Sequence, residues 1–245
     1  MTDRQRIAFV TGAASGIGRA ICVSLHGKGC RIVLADRQED RLAILAGELG
    51  ADVFPLALDI TDGAAVANCL GRLPPEFRDI DILVNNAGHD IGGRTRFDIG
   101  SADDWSAIIE TNLIGLMRVT RAILPGMIER GVGDVVNMSS ISAIRMVPDQ
   151  APYSASKAGV HMLSDIIRAE LAETPIRVIE ILPGLTRTNI VASRHRGDEE
   201  AARKYFERFG MALDPEDIAR CVLFALDQPP HVQIAQMFVL PTNRG

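Results

Sequence analysis

The sequence predicts an α/β fold in which a mostly parallel sheet carries helices on both faces. Short apolar runs alternate with helical stretches, the pattern of βαβ units. The runs are continuously apolar, as in strands covered on both sides. The first run ends in a glycine-rich turn that opens a helix. At 245 residues with 47% hydrophobic side chains, the chain suits one domain over residues 1–245. No linker, internal repeat or low-complexity stretch divides it.

Taken in order, Ile7–Val10 reads as the first strand, followed by a helix from Gly16 to Lys28 closed by Gly29. Arg31–Ala35 is the second strand, ending at Asp36, and Arg41–Leu49 the second helix, closed by Gly50. Asp52–Leu58 is a third strand. Asp62–Leu73 is a helix stopped by Pro74-Pro75. Ile82–Val84 is a fourth strand, and a polar loop from His89 to Gly100 precedes a long helix, Ala102–Arg130. Its apolar stripe is Trp105, Ile108, Ile109, Leu113, Leu116 and Met117, with Asn112 on the same stripe. Asp134–Met138 is a fifth strand. The next helix starts near Pro152 and buries Leu163, Ile166, Ile167 and Leu171. Ile176–Leu182 is a sixth strand. The charged stretch Leu185–Gly210 reads as a loop with a mobile amphipathic helix. Asp214-Pro215 starts a helix to about Ala225, with Asp at the N-cap and Pro at the first position. Val232–Leu240 supplies the last strand.

Composition excludes several functions. A net charge of -5 argues against nucleic acid, which needs a basic footprint. Cys22, Cys30, Cys69 and Cys221 show no paired or zinc-type spacing, and the five histidines are scattered, so no metal is expected. Reduced thiols and the absence of a signal peptide or membrane-length apolar run point to a cytoplasmic protein with no membrane partner.

Two constellations carry chemistry. The first is Thr11-Gly12-Ala13-Ala14-Ser15-Gly16-Ile17-Gly18, between the first strand and first helix. Glycines let the backbone approach a pyrophosphate, and the helix start offers unpaired N–H groups. Asp36 at the end of the second strand can accept from both adenosine ribose hydroxyls and repel a 2′-phosphate, which favours NAD over NADP. Arg37 beside it weakens that preference, because a guanidinium can receive the phosphate. Asp59-Ile60 is placed to meet the adenine, and Asn85-Asn86-Ala87-Gly88 ends the fourth strand on the same edge. The second constellation is Tyr153-Ser154-Ala155-Ser156-Lys157. Residues four apart share a helix face, and an ammonium beside a phenol lowers its pKa toward that of a usable acid/base.

These motifs, with Asn112, Ser140 and Pro183-Gly184, resemble the short-chain dehydrogenase/reductase family over nearly the whole chain, in its order and spacing. The tail from Pro183-Gly184 through Asp214–Asp217 to Pro241 is similar to bacterial members acting on 3-hydroxy acids and serine-like substrates, from which Asp36 departs because such members prefer NADP. The resemblance implies a Rossmann-type doubly wound domain of about seven parallel strands in the order 3-2-1-4-5-6-7. It implies hydride exchange between a nicotinamide cofactor, NAD preferred, and a small-molecule secondary alcohol or its carbonyl. Tyr153 would be the acid/base. Lys157 would lower its pKa and hold the nicotinamide ribose. Ser140, with Ser139 as rival, would bind the substrate oxygen, and Asn112 would anchor a water leading to Lys157. Thr186 and Thr188 could contact the nicotinamide amide. The family is usually tetrameric, paired through the two long helices, so a homotetramer is expected with the Met117 and Ile166 faces buried.

The resemblance places the substrate pocket between the loop after Gly88, the loop after Ser140 and residues 185–212. These hold Arg94, Arg145, Arg187, Arg194 and His195. An arginine aimed inward would clamp an anionic group, so the reading is a small polar or anionic alcohol, with Arg145 and Arg187 as candidate clamps. Two alternatives stand beside it: an NADP-linked reductase of bulkier ketones or 3-oxoacyl groups, and a dinucleotide-sensing regulator without turnover.

Overall fold

The computed structural model describes residues 4–207 and 211–242; residues 208–210 of the expected substrate segment and both chain ends lie outside the described residues. The strands are β1 (Ile7–Thr11), β2 (Arg31–Asp36), β3 (Val53–Ala57), β4 (Ile82–Asn85), β5 (Gly133–Met138), β6 (Ile176–Pro183) and β7 (Gln236–Val239). The helices are α1 (Gly16–Gly27), α2 (Glu39–Leu49), α3 (Gly63–Ala67), α4 (Ala102–Ile109), α5 (Leu116–Arg130), α6 (Ala151–Glu170), α7 (Asn189–Arg194), α8 (Glu199–Glu207) and α9 (Pro215–Leu226). The sheet runs β3-β2-β1-β4-β5-β6-β7 and is parallel throughout, as the resemblance implied. Strand order reverses between β1 and β4, which opens a crevice at their carboxyl ends.

Side chains alternate across the sheet and build two cores. Ala8, Val10, Ile32, Leu34, Ile82 and Val84 pack with Ile21 and Leu25 of α1, Leu42 and Leu45 of α2, and Ile218 and Val222 of α9. Ile7, Phe9, Val33, Leu83 and Val135 pack on the other face with Val119, Ile123 and Met127 of α5. Burial on both faces is why the strands read as continuous apolar runs. The anticipated start of α9 is present: Asp214 and Asp217 form a reciprocal capping box, with Asp217 accepting from the Asp214 amide at 2.8 Å.

Several elements differ from expectation. The helix after Asp62 ends at Ala67 and continues only as a 3-10 turn, Leu70–Arg72, ahead of Pro74. The helix foreseen over 102–130 is broken by a π segment, Glu110–Gly115, whose wider turn changes which residues face inward. Ile108, Asn112, Leu116, Val119, Ile123 and Met127 are buried, whereas Met117 is 43% exposed. On α6 the buried face is Tyr153, Ser156, Lys157, Val160 and Ser164, leaving Met162 and Ile166 exposed. The inward face of α6 is therefore set mainly by polar residues, Tyr153, Ser156, Lys157 and Ser164 at i, i+3, i+4 and i+11, with Val160 at i+7 as its apolar member. The charged segment after Pro183 forms two helices, α7 and α8, rather than one. No helix of the described residues is long and apolar enough to cross a membrane.

Candidate active site

The carboxyl ends of β1, β2, β4, β5 and β6 open into a cavity of about 680 Å³, within the range of small-molecule sites. One wall is the turn Gly12–Gly18 with Asp36, Arg37, Arg41, Asp59, Ile60 and Asn86–Gly88. The other holds Ser140, Tyr153, Lys157, Pro183–Thr186 and Thr188, roofed by α7 and by Tyr205 of α8.

The glycine turn lies hard against Asn86. A Cβ on Gly18 would stand 2.1 Å from the Gly12 carbonyl oxygen and 2.5 Å from Asn86 Nδ2; one on Gly12 would meet Asn86 Nδ2 at 2.8 Å, at φ +66°. Asn86 Nδ2 donates to the carbonyls of Thr11 and Gly12, at 3.0 and 3.2 Å, and the amides of Asn86 and Ala87 donate to Thr11 Oγ1. Asn86 thus fastens the turn from behind. The side-chain-free cradle at the start of α1, beside a crevice lined by Arg37 and Arg41, fits a dinucleotide diphosphate. Thr188, at the N-cap of α7, reaches over Gly16, and Thr186 Oγ1 donates to the Gly184 carbonyl at 3.1 Å. Asp59 lines the wall, but its Oδ1 accepts from the Thr61 amide and hydroxyl.

Asp36 does not stand free to meet a ribose. It is buried, and its two oxygens accept from the backbone amides of Ala14, at 3.1 Å, and Gln38, at 3.0 Å. Its charge is spent on joining the glycine turn to the end of β2. Arg37 and Arg41, with Asp59 nearby, are the exposed charges on that rim.

At the opposite end Tyr153 and Lys157 share the buried face of α6, with Lys157 Nζ 5.9 Å from the Tyr153 ring centroid. Ser140 hydrogen-bonds the Tyr153 phenol, and its Oγ also accepts from the Ser142 amide at 3.1 Å. Ser139 is committed elsewhere: its hydroxyl donates to the Lys157 carbonyl at 3.2 Å. Ser140 is accordingly the serine beside the phenol. The sequence reading has Lys157 lower the phenol's pKa; here burial pushes Tyr153 up to about 12, against the opposing pull of Ser140. Lys157 itself is brought down to about 8 by burial, which Glu180 opposes, and its ammonium donates to the Met138 carbonyl at 2.8 Å. Desolvation outweighs the neighbouring charge, so the phenol holds its proton.

Asn112, in the π segment, is 0% exposed. Its Nδ2 donates to the His89 carbonyl and to Ser156 Oγ, and its Oδ1 accepts from the His89 amide at 2.9 Å. It locks the loop after β4 to α6. A Cβ on Gly88 would meet Asn112 Oδ1 at 3.0 Å and Lys157 Nζ at 3.7 Å, so that glycine lets the two side chains approach. His89 Nδ1 accepts from the Ile91 amide, which places the ring proton on Nε2, facing Thr111 Oγ1; burial pushes its pKa down.

Of the arginines picked from sequence, Arg145 is exposed and off the cavity wall. Arg187 turns away to Asp214, at 3.3 Å. Arg94 and Arg194 do line the cavity. Arg194 is buried: its Nε donates to Asp90 Oδ2 at 2.8 Å, and Gln150 Nε2 donates to the same oxygen at 3.0 Å. Burial pushes Asp90 up while Arg194 and Gln150 pull it back, and the contact has ion-pair geometry. Asp90, Gln150, Tyr205 and His89 were not singled out from sequence. Asp90 and Arg194 lie 104 residues apart, and no local spacing connects them.

Strand order, glycine turn and tyrosine–lysine pair together define a class. Residues 6–199 match the family model described as short chain dehydrogenase, and the chain belongs to that family. It is 40% identical to a probable NADP-dependent dehydrogenase of Haemophilus influenzae, over 97% of this chain and 94% of that one. It is 37% identical to the NADP-dependent 3-hydroxy acid dehydrogenase YdfG of Salmonella typhi, over 98% and 96%. The closed form of a serine dehydrogenase complexed with NADP+ superposes with a TM-score of 0.95 at 36% identity, over 98% of this chain and 96% of that one. The similarity to 3-hydroxy acid and serine enzymes is therefore as the tail suggested. The preference for NAD is overturned: these relatives are NADP proteins, and the carboxylate on which that preference rested is bonded to backbone amides.

Proposed function

We propose that the chain is an NADP-dependent dehydrogenase/reductase that interconverts a small polar or anionic secondary alcohol and its carbonyl compound. The observation that carries this reading is the meeting of Ser140, Tyr153 and Lys157 at one end of a cavity whose other end is the glycine turn. Gly12, Ser15, Gly16, Ile17 and Gly18 would hold the diphosphate, Arg37 and Arg41 the 2′-phosphate, Asp59 and Ile60 the adenine, and Pro183, Gly184, Thr186 and Thr188 the nicotinamide. When bound, the cofactor supplies or accepts the hydride.

The chain's own residues handle the proton. Tyr153, kept neutral by burial, is loaded to give its proton to a carbonyl oxygen, and Ser140 donates to the same oxygen as charge develops there. Lys157, still cationic below about pH 8, stabilises the phenolate that remains. Asn112 holds the surrounding loop and α6 in register. The exposed Met117, Met162 and Ile166 on α5 and α6 are apolar surface suited to a second copy, so we extend the proposal to a homotetramer paired through those helices.

NADPH oxidation across a panel of small 3-oxo acids, hydroxy-aldehydes and bulky ketones tests the reading. Turnover of the small polar compounds supports it. Turnover of bulky ketones alone would favour the reductase alternative, and tight NADPH binding without any turnover would favour the sensor.

A further inference from the structure

One register of the sheet carries polar side chains where the neighbouring registers are apolar. Asn85 of β4, Asn137 of β5, Glu180 of β6 and Gln236 of β7 stand opposite one another across four strands. They are bonded to each other and to the helices above them. Asn85 Nδ2 donates to Asn137 Oδ1 at 2.9 Å and to Thr120 Oγ1 of α5 at 2.8 Å. Asn137 Nδ2 donates to Ser164 Oγ of α6 at 2.9 Å, and Gln236 Nε2 to Asp165 Oδ1 of α6 at 3.2 Å. Three of the four are neutral amides. Glu180 is the exception: it is 0% exposed, its Oε2 bonds His161 Nδ1 of α6 at 2.8 Å, and its Oε1 has no hydrogen-bond partner among the described residues. The amide oxygen of Asn85 is also unpaired, but it carries no charge. A buried carboxylate with a free oxygen is costly, and an amide would complete the row at less cost.

We infer that Glu180 is the counter-charge that keeps Lys157 cationic, a positioning residue that lies off the cavity wall and acts through that ammonium. The inference rests on the proposed oxidoreductase reading and deepens it. Lys157 and His161 are four apart on α6, so the helix turn that bonds Glu180 is the one that follows Lys157. Lys157 Nζ is held on the Met138 carbonyl, and Met138 stands opposite Ile181, the chain neighbour of Glu180. The other groups packed around this carboxylate are neutral or engaged elsewhere. Asn85, Asn137, Gln236 and Thr120 carry no charge. Arg168 of α6 is bound by Asp165 and by the carbonyls of Val178 and Ala235. His161 offsets Glu180 only in its protonated form. Lys157 is therefore the buried cation on which the Glu180 charge acts: burial works against the ammonium and Glu180 supports it. A neutral amide at this position would let Lys157 lose its proton at a lower pH.

The test reads the Lys157 charge directly. The sequence has three lysines, Lys28, Lys157 and Lys204, and the first and last are exposed. A pH titration of the lysine ε-carbon signals by NMR on the full chain therefore resolves Lys157. E180Q keeps the shape and the bond to His161 and removes the charge. The Lys157 midpoint should then fall by about one pH unit from about 8, the order of one interior charge acting on another at an effective dielectric of about 20. E180D keeps the charge but fits the row less well, and it should recover most of that fall. H161Q removes a group that can offset Glu180 and keeps a donor for it, so it should not lower the midpoint. In turnover, E180Q should lose about fivefold in kcat/KM for NADPH at about pH 8 and stay within about 1.5-fold at about pH 6, where Lys157 is charged in both proteins. A Lys157 midpoint unmoved in E180Q, an equal fall in E180Q, E180D and H161Q, or equal losses of kcat/KM at the two pH values would overturn the inference. A midpoint that falls in E180Q and recovers in E180D, in a protein that reduces no carbonyl compound, would retain the counter-charge and reject the oxidoreductase reading.

Discussion

The two walls of the cavity are held by different bonds. The glycine-turn wall is fixed by backbone groups: Asn86 on the carbonyls of Thr11 and Gly12, Asp36 on the amides of Ala14 and Gln38, all against buried strands. The wall formed by α7 and α8 is fixed by side-chain ion pairs across long sequence separations, Arg194–Asp90 and Arg196–Asp104, the latter at 2.7 Å between an exposed arginine and a mostly covered carboxylate. Backbone cradles suit a ligand part common to many enzymes. Long-range ion pairs can be exchanged without disturbing the sheet, so they suit the part that differs.

The contrast can be broken at its stiffest point. Gly18→Val would drive a side chain into the Gly12 carbonyl and Asn86, so NADPH affinity should fall at least about 100-fold, with a stability loss of about 1–3 kcal/mol. Fluorescence titration and thermal unfolding measure the two. Arg37→Ala should weaken NADPH about tenfold and leave NADH within about twofold, because the proposed role of this exposed arginine is a charge-assisted contact to the 2′-phosphate. On the opposite wall, Gly93→Ala should leave both cofactors unaffected. Gly93 has φ +68°, and a Cβ there would stand 2.9 Å from the Arg194 carbonyl oxygen. That substitution should shift α7 and raise KM for the substrate about fivefold.

The smallest effect is a pH profile. Burial holds Lys157 near 8, below its ordinary value, so the folded enzyme loses that charge as pH rises through about 8. kcat/KM for NADPH, which reports the free enzyme, should fall with rising pH above that point. Tyr153, pushed up to about 12, remains protonated across the range and adds no second step. A flat profile from pH 7 to 9.5 would remove Lys157 from the account.

The same contrast explains what could be read from sequence. The glycine turn, Asn86–Gly88 and the Tyr153–Lys157 pair are local patterns on strand ends and one helix face, and all meet at the cavity. Strand order followed from the family resemblance. Asp36 was found but its partners were not, because the amides that occupy it come from the glycine turn 22 residues earlier and from Gln38 just beyond. The π segment leaves no periodic signature, so a regular helical period puts Met117 inward, whereas it faces out. The inward face of α6 was missed because hydrophobic periodicity identifies apolar stripes, and here the buried stripe carries Tyr153, Ser156, Lys157 and Ser164. Nearness to Ser140 along the chain favours Arg145, whereas burial and the Asp90 contact, visible only in three dimensions, set Arg194 apart.

The central claim is that Tyr153, neutral in its buried position, is the group that gives its proton to the substrate oxygen. Tyr153→Phe removes one oxygen atom from a packed ring and nothing from the cofactor cradle. With NADPH binding preserved within about twofold, the single-turnover rate of carbonyl reduction should drop by about 10²–10⁴, the usual worth of a positioned general acid. Reduction at an unchanged rate with NADPH fully bound would contradict the account.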